Sequence, residues 1–445
     1  MWRIPHIVGL HLIMDLMCYH FMVDSSLQMK RELDFSHGLA IVVGGIVGVG
    51  MLIIPGMAAG LAGPASLLAW VCTGILCMFM ATSFAQLASM FDESGGPYRY
   101  VREGFGKIPG FVAGWSGLIG AWVALSVLTL LIPQYLSPFI HLSRVGETLI
   151  SLSVISVLSI INIRGIRLGG SVQLLLFSGL LLTLLLFIGG GALHFHGDYF
   201  SPFMPLGWRS VGRAMGLTMW AYLGWEYALM PASEYKNPKK DLPRVIIVGT
   251  FLIILLYSGV AASCLGTVPW QDLAHSTTPL VLASNTWGGA ALIAAGSVMI
   301  MCGCLNAGLL SSGRLVHSMA QGGIFPDSLA HIHHTFRTPY KALLVQWAVM
   351  SLLAGMRLIE KFVYLSNTLF LVSYLLSFLS LIPLKKKVAV LPLVSAGMCG
   401  FLISQLGVDN VIQAFCVIGV GVILFVAINK KGKIKKNKLL NTLAR

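Results

Sequence analysis

Two membrane-length apolar segments of this chain are interrupted near their middles by residues that a continuous spanning helix avoids. The first carries Gly44-Gly45-Ile46-Val47-Gly48-Val49-Gly50 and is closed by Pro55; the second carries Trp220-Ala221-Tyr222-Leu223-Gly224-Trp225-Glu226, with Pro231 behind it. A helix that comes apart at bilayer depth strands N–H and C=O groups away from water. That is tolerated only where they line a cavity or hold something. Two such breaks in one chain point to a binding site made of backbone near the middle of a membrane.

Composition agrees with that setting. Only 10% of the 445 residues are charged and 56% are hydrophobic, whereas a soluble domain carries about 25% charged residues. Twelve apolar runs recur, near 38–61, 64–90, 109–138, 146–162, 169–193, 210–232, 244–268, 287–315, 340–356, 360–383, 388–406 and 409–429. Each is long enough to cross about 30 Å of hydrocarbon. The expected fold is all-α and integral to the membrane, with about twelve transmembrane helices of which helices one and six are discontinuous. The two breaks lie five spans apart, which predicts a five-plus-five repeat of inverted topology. The expected units are a cytoplasmic segment 1–34, five-helix repeats 35–193 and 209–383, helices eleven and twelve within 388–429, and a basic cytoplasmic tail 430–445.

The net charge of +14 could suit nucleic acid, but its placement argues otherwise. With twelve spans and both termini inside, 25 of the 30 basic residues fall on inner segments and five, Arg144, Arg209, Arg213, Arg357 and Lys361, fall outside. That bias orients a multi-pass protein of the plasma or inner membrane with cytoplasmic N- and C-termini. The Lys-rich tail Lys430–Lys438 reads as a topology anchor touching anionic lipid. The eight cysteines lie mostly within spans and are expected to be free thiols. Cys302-x-Cys304 is too sparse for zinc and reads as packing, and His331-x-His333-His334 reads as a solvated loop, so no metal and no cofactor are expected. Gly114-Trp115-Ser116-Gly117 is not a nucleophile elbow, because the second glycine comes one residue early. Residues 7–23 are apolar but carry His11, Asp15 and His20, whereas Met29-Lys30-Arg31-Glu32-Leu33-Asp34-Phe35 reads as an ordinary cytoplasmic N-terminus. The expectation is a translation start at Met29, or a loose appendage in residues 1–28.

Four segments carry a family resemblance. Gly48-Val49-Gly50-Met51 followed by Pro55 is similar to a Gly-Ser-Gly-Ile/Val-Phe signature, with Val49 in the serine place. Ser94-Gly95-Gly96-Pro97-Tyr98-Arg99-Tyr100 with Phe105-Gly106 follows span two. Trp220–Glu226 runs on to Glu234-Tyr235-Lys236-Asn237-Pro238-Lys239-Lys240-Asp241-Leu242-Pro243. Ser312-Gly313-Arg314 leads to Met319-Ala320-Gln321-Gly322-Gly323-Ile324-Phe325-Pro326. In this order and spacing the chain resembles the amino acid–polyamine–organocation transporters of amino acid permease type, whose five-plus-five core is leucine-transporter-like.

The chemistry of an α-amino acid suits the two breaks. Unpaired N–H groups at a helix start, at the positive end of its dipole, suit a carboxylate, and glycine lets the backbone come close. This assigns the carboxylate to the amides around Val47, Gly48, Val49, Gly50 and Met51, with Ile46 also in the binding site, although Gly44 and Gly48 also fit a helix-packing pattern. The resemblance implies that the ammonium meets unwound carbonyls at Trp220, Ala221 and Leu223, and that Trp220, Tyr222 and Trp225 form aromatic walls or a gate. Glu226 is the one acid of 16 placed deep in a span. A carboxylate there is costly, so it is protonated, paired or functional; proton coupling or gating is the expected role, against the alternative of a neutral Glu bonding loosened backbone. Proton-coupled relatives can instead use a lysine in span five, and span five here has none. Asn306, Ser311 and Ser312 either line the cavity or bond neighbouring helices.

The expected activity is therefore secondary transport of an amino acid or related amine by alternating access, driven by a gradient or by exchange. No phosphate-binding loop of the Gly-x-x-x-x-Gly-Lys-Ser/Thr type is present. The alternatives are a polyamine or amino-acid/amine antiporter and a non-transporting amino acid sensor. A membrane enzyme is disfavoured, because no paired acids or Ser/His pair sits at membrane depth. The expected partners are a small amino acid or amine and the lipid bilayer, with proton coupling and a homodimer left open and no nucleic acid.

Overall fold

A computed structural model of the chain describes residues 28–136, 140, 142–385 and 390–443. The expected start at Met29 turns on residues 1–27, which lie outside the described residues, as do Cys18 and the side chains of Lys430–Lys438. Among the described residues the structure is helical, with no strand and one isolated bridge between Leu33 and Tyr235.

The helices are α1 Phe35–Ile46, α2 Val49–Ala62, α3 Ser66–Met90, α4 Pro97–Phe105, α5 Lys107–Leu136, α6 Arg144–Ile163, α7 Ile166–Leu193, α8 Trp208–Ala221 and α9 Glu226–Leu229. They continue as α10 Pro238–Thr267, α11 Trp270–His275, α12 Pro279–Asn285, α13 Ala290–Gln321, α14 Tyr340–Met356, α15 Ile359–Lys385, α16 Val390–Ser404 and α17 Val408–Leu443. Eight helical runs among the described residues are long and apolar enough to cross a membrane, and α1, α14 and α16 are shorter apolar helices. Both interrupted segments are split. The first becomes α1 and α2 and the second α8 and α9. Pro55 does not close the first segment as its sequence suggests, but lies inside α2. The interruption comes earlier, at Val47 and Gly48, so the pyrrolidine ring is absorbed by a helix that has already restarted.

Local chemistry sets the ends. Asp34 caps α1, its carboxylate accepting the N–H groups of Ser36 and His37 at 3.1 and 3.2 Å. Burial pushes the Asp34 carboxyl up, but hydrogen bonds from His37, at 2.8 Å to Nδ1, outweigh it and hold the group below the usual carboxylate range. The turn between α2 and α3 rests on Gly63, at φ +60°, where a Cβ would stand 2.7 Å from Pro205.

Polar side chains inside the bundle bond helix to helix. Asn306 on α13 donates to Gly169 O at 3.1 Å and Gln173 Oε1 at 2.9 Å on α7, and accepts from Asn162 on α6 at 2.9 Å. Ser312 donates to Gly308 O and to Gln346 Oε1 on α14. At the far end of α13, Arg314 is fully buried and its Nε donates to both oxygens of Glu234 at 3.2 and 3.3 Å. Arg314 enters the sequence reading as an inner topology charge; here it is a core residue made tolerable by that carboxylate. Burial pushes the Glu234 carboxyl up while Arg314 beside it pulls the other way. The backbone of Glu234 also accepts Leu33 N–H at 2.9 Å, and Lys236 N–H reaches Leu33 O at 2.8 Å, so the chain before α1 is fastened to the chain after α9.

Candidate binding site

The two interruptions meet. A Cβ on Gly50 would stand 2.6 Å from Ala221 Cα, and a Cβ on Gly224 would stand 3.0 Å from Gly45 O. Glycine at these two positions lets two backbones touch. Gly224 also lies at φ +137°, a conformation that side chains rarely adopt.

The first break is short. Val47 and Gly48 leave the helix, Val47 N–H reaches back to Val43 O at 2.8 Å, and no side chain caps the start of α2 at Gly48. The first N–H groups of a helix have no acceptor within it. In α2 the Met51 N–H turns back to Gly48 O at 3.1 Å, and Gly48 and Gly50 line the space beside the break.

The second break is longer and is held by side chains. Tyr222 hydroxyl donates to Trp70 O at 3.1 Å, Trp225 Nε1 donates to Thr250 Oγ1 at 2.8 Å, and Gly224 N–H donates to Tyr374 Oη at 3.0 Å. The Tyr374 hydroxyl in turn donates to Glu226 Oε2. Glu226 is 1% exposed, and its Oε1 has no hydrogen-bond partner among the described residues. Tyr257 on α10 joins both breaks, its hydroxyl lying 3.1 Å from Ile46 O and 3.0 Å from Ala221 O. One proton serves both acceptors.

Between the breaks lies a cavity of about 70 Å³. Gly45, Ile46, Gly48, Gly50, Trp220, Ala221, Leu223 and Gly224 form its backbone-rich side, and Ala124, Leu125, Leu128, Tyr227, Cys304 and Phe370 close it. No charged side chain is among these lining residues. A larger cavity of about 860 Å³ lies on the other side of Trp220, which lines both.

Of the residues singled out from sequence, Ile46, Gly48, Gly50, Trp220, Ala221 and Leu223 come together around the small cavity. Val47 and Met51 are packed into the core. Val49 begins α2. Tyr222 packs on Trp70 and on Tyr257, its ring 4.9 Å from the latter. Trp225 faces Phe84 and Tyr374. Asn306 and Ser312 make the helix-to-helix bonds described above. Ser311 donates to Tyr227 O at 2.5 Å, just beyond the second break. Sequence reasoning missed Tyr257, Tyr374, Cys304, Phe370 and the α5 residues. A tyrosine inside a span was the one available signal, since a buried hydroxyl needs a partner; Leu125 and Leu128 look like any lipid-facing leucine. Among the described residues no group of three His, Cys, Asp or Glu side chains is placed to hold a metal.

A helical membrane protein with a chamber enclosed by two abutting helix breaks has the make-up of a solute carrier. The chain belongs to the amino acid permease family, whose description matches residues 33–442. It is similar to the branched-chain amino acid permease BcaP of Bacillus subtilis, 27% identical over 437 residues that cover 91% of this chain and 94% of that one. It is also similar to the serine/threonine exchanger SteT of the same organism, 27% identical over 81% of this chain and 84% of that one. The human cystine/glutamate transporter is 28% identical over 72% of this chain and 66% of its own length. Amino acid transport is therefore the class of activity, and permeases and exchangers rather than enzymes are its kin.

Proposed function

We propose that this protein carries a neutral amino acid with an apolar side chain across the cytoplasmic membrane by alternating access, as a twelve-span protein with a five-plus-five inverted repeat and both termini inside. The observation that carries this reading is the chamber where Gly50 abuts Ala221, because its lining holds backbone amides and carbonyls but no charged side chain. The N–H groups opening α2 take the carboxylate, at the positive end of a helix dipole. The carbonyl of Trp220 and the second lone pair of Ala221 O take the ammonium. Leu125, Leu128, Cys304 and Phe370 offer only apolar contact to the side chain. A cationic or acidic side chain would lie there without a counter-charge, at a cost of several kcal/mol. The branched-chain substrate named for BcaP has the matching chemistry.

Trp220 separates the chamber from the larger cavity and serves as the gate on that side. Glu226 is the coupling or gating group. Its carboxyl shares the Tyr374 hydroxyl with the Gly224 amide, so a proton gained or lost at its free oxygen acts directly on the second break. Uptake of twenty labelled amino acids and of putrescine and spermidine into proteoliposomes tests the substrate. Uptake confined to neutral apolar amino acids is the expected result. Preference for a polyamine, or binding without uptake, would replace this reading with an amine antiporter or a sensor.

A further inference from the structure

The larger cavity is not empty of chemistry. Its wall is mostly apolar, but Arg209, Arg213, Tyr364, Asn367 and Gln405 also line it, with Trp220 at its inner end. Arg209 and Arg213 are one helical turn apart on α8, so both guanidinium groups serve one face. Both are solvent-exposed, and neither makes an ion pair or hydrogen bond with a described residue. Arg357, another basic residue of the same side, is paired with Glu147 at 2.5 Å. Asn367 is 8% exposed and lines the cavity, and its amide has no hydrogen-bond partner among the described residues.

Other accounts of the arginine pair fit less well. Arg209 lies in the first turn of α8, where a cation opposes the helix dipole instead of complementing it. On the proposed orientation both lie outside, where basic residues are selected against. A lipid-anchoring role would point them at the headgroups, not into a protein cavity.

We propose that Arg209, Arg213 and Asn367 form a capture site for the α-carboxylate of an incoming amino acid, ahead of the Trp220 gate. This rests on the transport reading above. The two guanidinium groups concentrate and hold the carboxylate, Asn367 donates to it deeper in, and the apolar wall of Ile53, Val363 and Leu371 receives the side chain. The inner chamber has no charge of its own to draw a zwitterion in. The vestibule thus supplies short-range contacts to the carboxylate, and Trp220 passes the ligand from charged side chains to backbone dipoles.

The test uses full-length protein in proteoliposomes and, as probe, the labelled L-amino acid that wild type takes up fastest. R209Q/R213Q is expected to raise KM about tenfold at about 20 mM chloride salt, with maximal rate within about twofold, as loss of two charge-assisted contacts to the carboxylate predicts. The difference shrinks toward none near 300 mM salt, where the Debye length is below about 8 Å. R209K/R213K keeps the low KM, because charge rather than shape carries these contacts. A double-Gln KM within twofold of wild type at low salt overturns the proposal, as does a rise that salt leaves unchanged or that lysine does not restore. Wild-type KM must itself rise with salt, and a flat dependence overturns the proposal even if the variants fail to fold. Failure of wild type to take up any amino acid removes the transport reading and this site with it, whereas normal uptake with unchanged KM removes only this site.

Discussion

The two helix breaks differ in how they are held, and the difference separates binding from switching. The first spans two residues, has no side-chain cap and leaves a helix start open. The second spans four residues, contains a glycine in the left-handed region and is fastened by Trp70, Thr250 and Tyr374. A loop that offers its own N–H groups to a ligand cannot also spend them on side chains. A loop that must change shape on cue needs holds that can be released. On the proposed function the first break is the ligand's seat and the second the movable wall, with Glu226 attached to its hinge.

The largest effects are expected where the two breaks touch. Gly50→Ala places a methyl 2.6 Å from the Ala221 backbone, and Gly224→Ala adds a positive φ to a 3.0 Å clash with Gly45 O. Neither neighbour is the end of a flexible side chain. Overpacking or backbone strain of this kind costs about 1–3 kcal/mol, and at about 1.4 kcal/mol per tenfold the apparent affinity falls roughly tenfold to a hundredfold. Substrate-dependent thermal stabilisation of each purified variant measures it. Equal losses in the two variants support a shared chamber, whereas loss in only one separates the breaks functionally.

Next in size is the Tyr374 hinge. Tyr374→Phe leaves both Gly224 N–H and Glu226 without their shared hydroxyl, and Glu226→Gln replaces the acid alone. The two act through one network, so their effects on uptake should be non-additive, with a coupling of about 1 kcal/mol or more. Glu226→Gln should also flatten the pH dependence of uptake. Full pH dependence in that variant would leave the hinge a structural fixture with no proton role.

A smaller effect is expected at Gly48 in the first break, where the near neighbour is a side chain and not backbone. Gly48 has φ −143° and ψ −137°, and a methyl there would stand 2.9 Å from Cys304 Sγ. A thiol can turn aside. Gly48→Ala should weaken substrate binding by less than about 1 kcal/mol, and Cys304→Ala in the same chain should recover part of it. A loss as large as that at Gly224 would mean the first break is as tightly constrained as the second.

These contrasts bear on how much the sequence disclosed. The breaks were legible because glycines cluster in the first segment and a glycine lies beside a buried acid in the second, combinations with few physical meanings inside a span. Their exact extent was not: Pro55 marks the first break from sequence, yet it sits within α2 as its seventh residue, where it costs the helix one hydrogen bond without ending it. The far wall was illegible. Leu125, Leu128 and Phe370 come to line the small cavity only through how α5 and α15 pack, and apolar residues in apolar spans carry no mark of which side they face. Arg314 misled for the opposite reason, because a lone cation at a span end looks like a topology signal until its partner Glu234, 80 residues away, is placed against it.

The smallest effect lies farthest from the chamber, at the entry to the first broken helix. Asp34 caps α1, with His37 Nδ1 at 2.8 Å and Lys236 Nζ at 3.8 Å around the same carboxylate. Its carboxyl is held below the usual range, so the folded state binds the proton less readily than the unfolded state does. The stabilisation is then fully present above the unfolded value, about 3.9, and is lost as the pH falls through the lower folded one. The side chain is 43% exposed, so solvent screens most of the ion pairing and the cap itself carries the effect. Asp34→Ala should cost about 0.5–1 kcal/mol at neutral pH, while Asp34→Asn, which still caps, should cost less and remove the acid-side decline. If Asp34→Ala instead lowered uptake as far as the Gly224 variant does, the start of α1 would belong to the moving wall, and the division between a fixed seat and a movable one would fail.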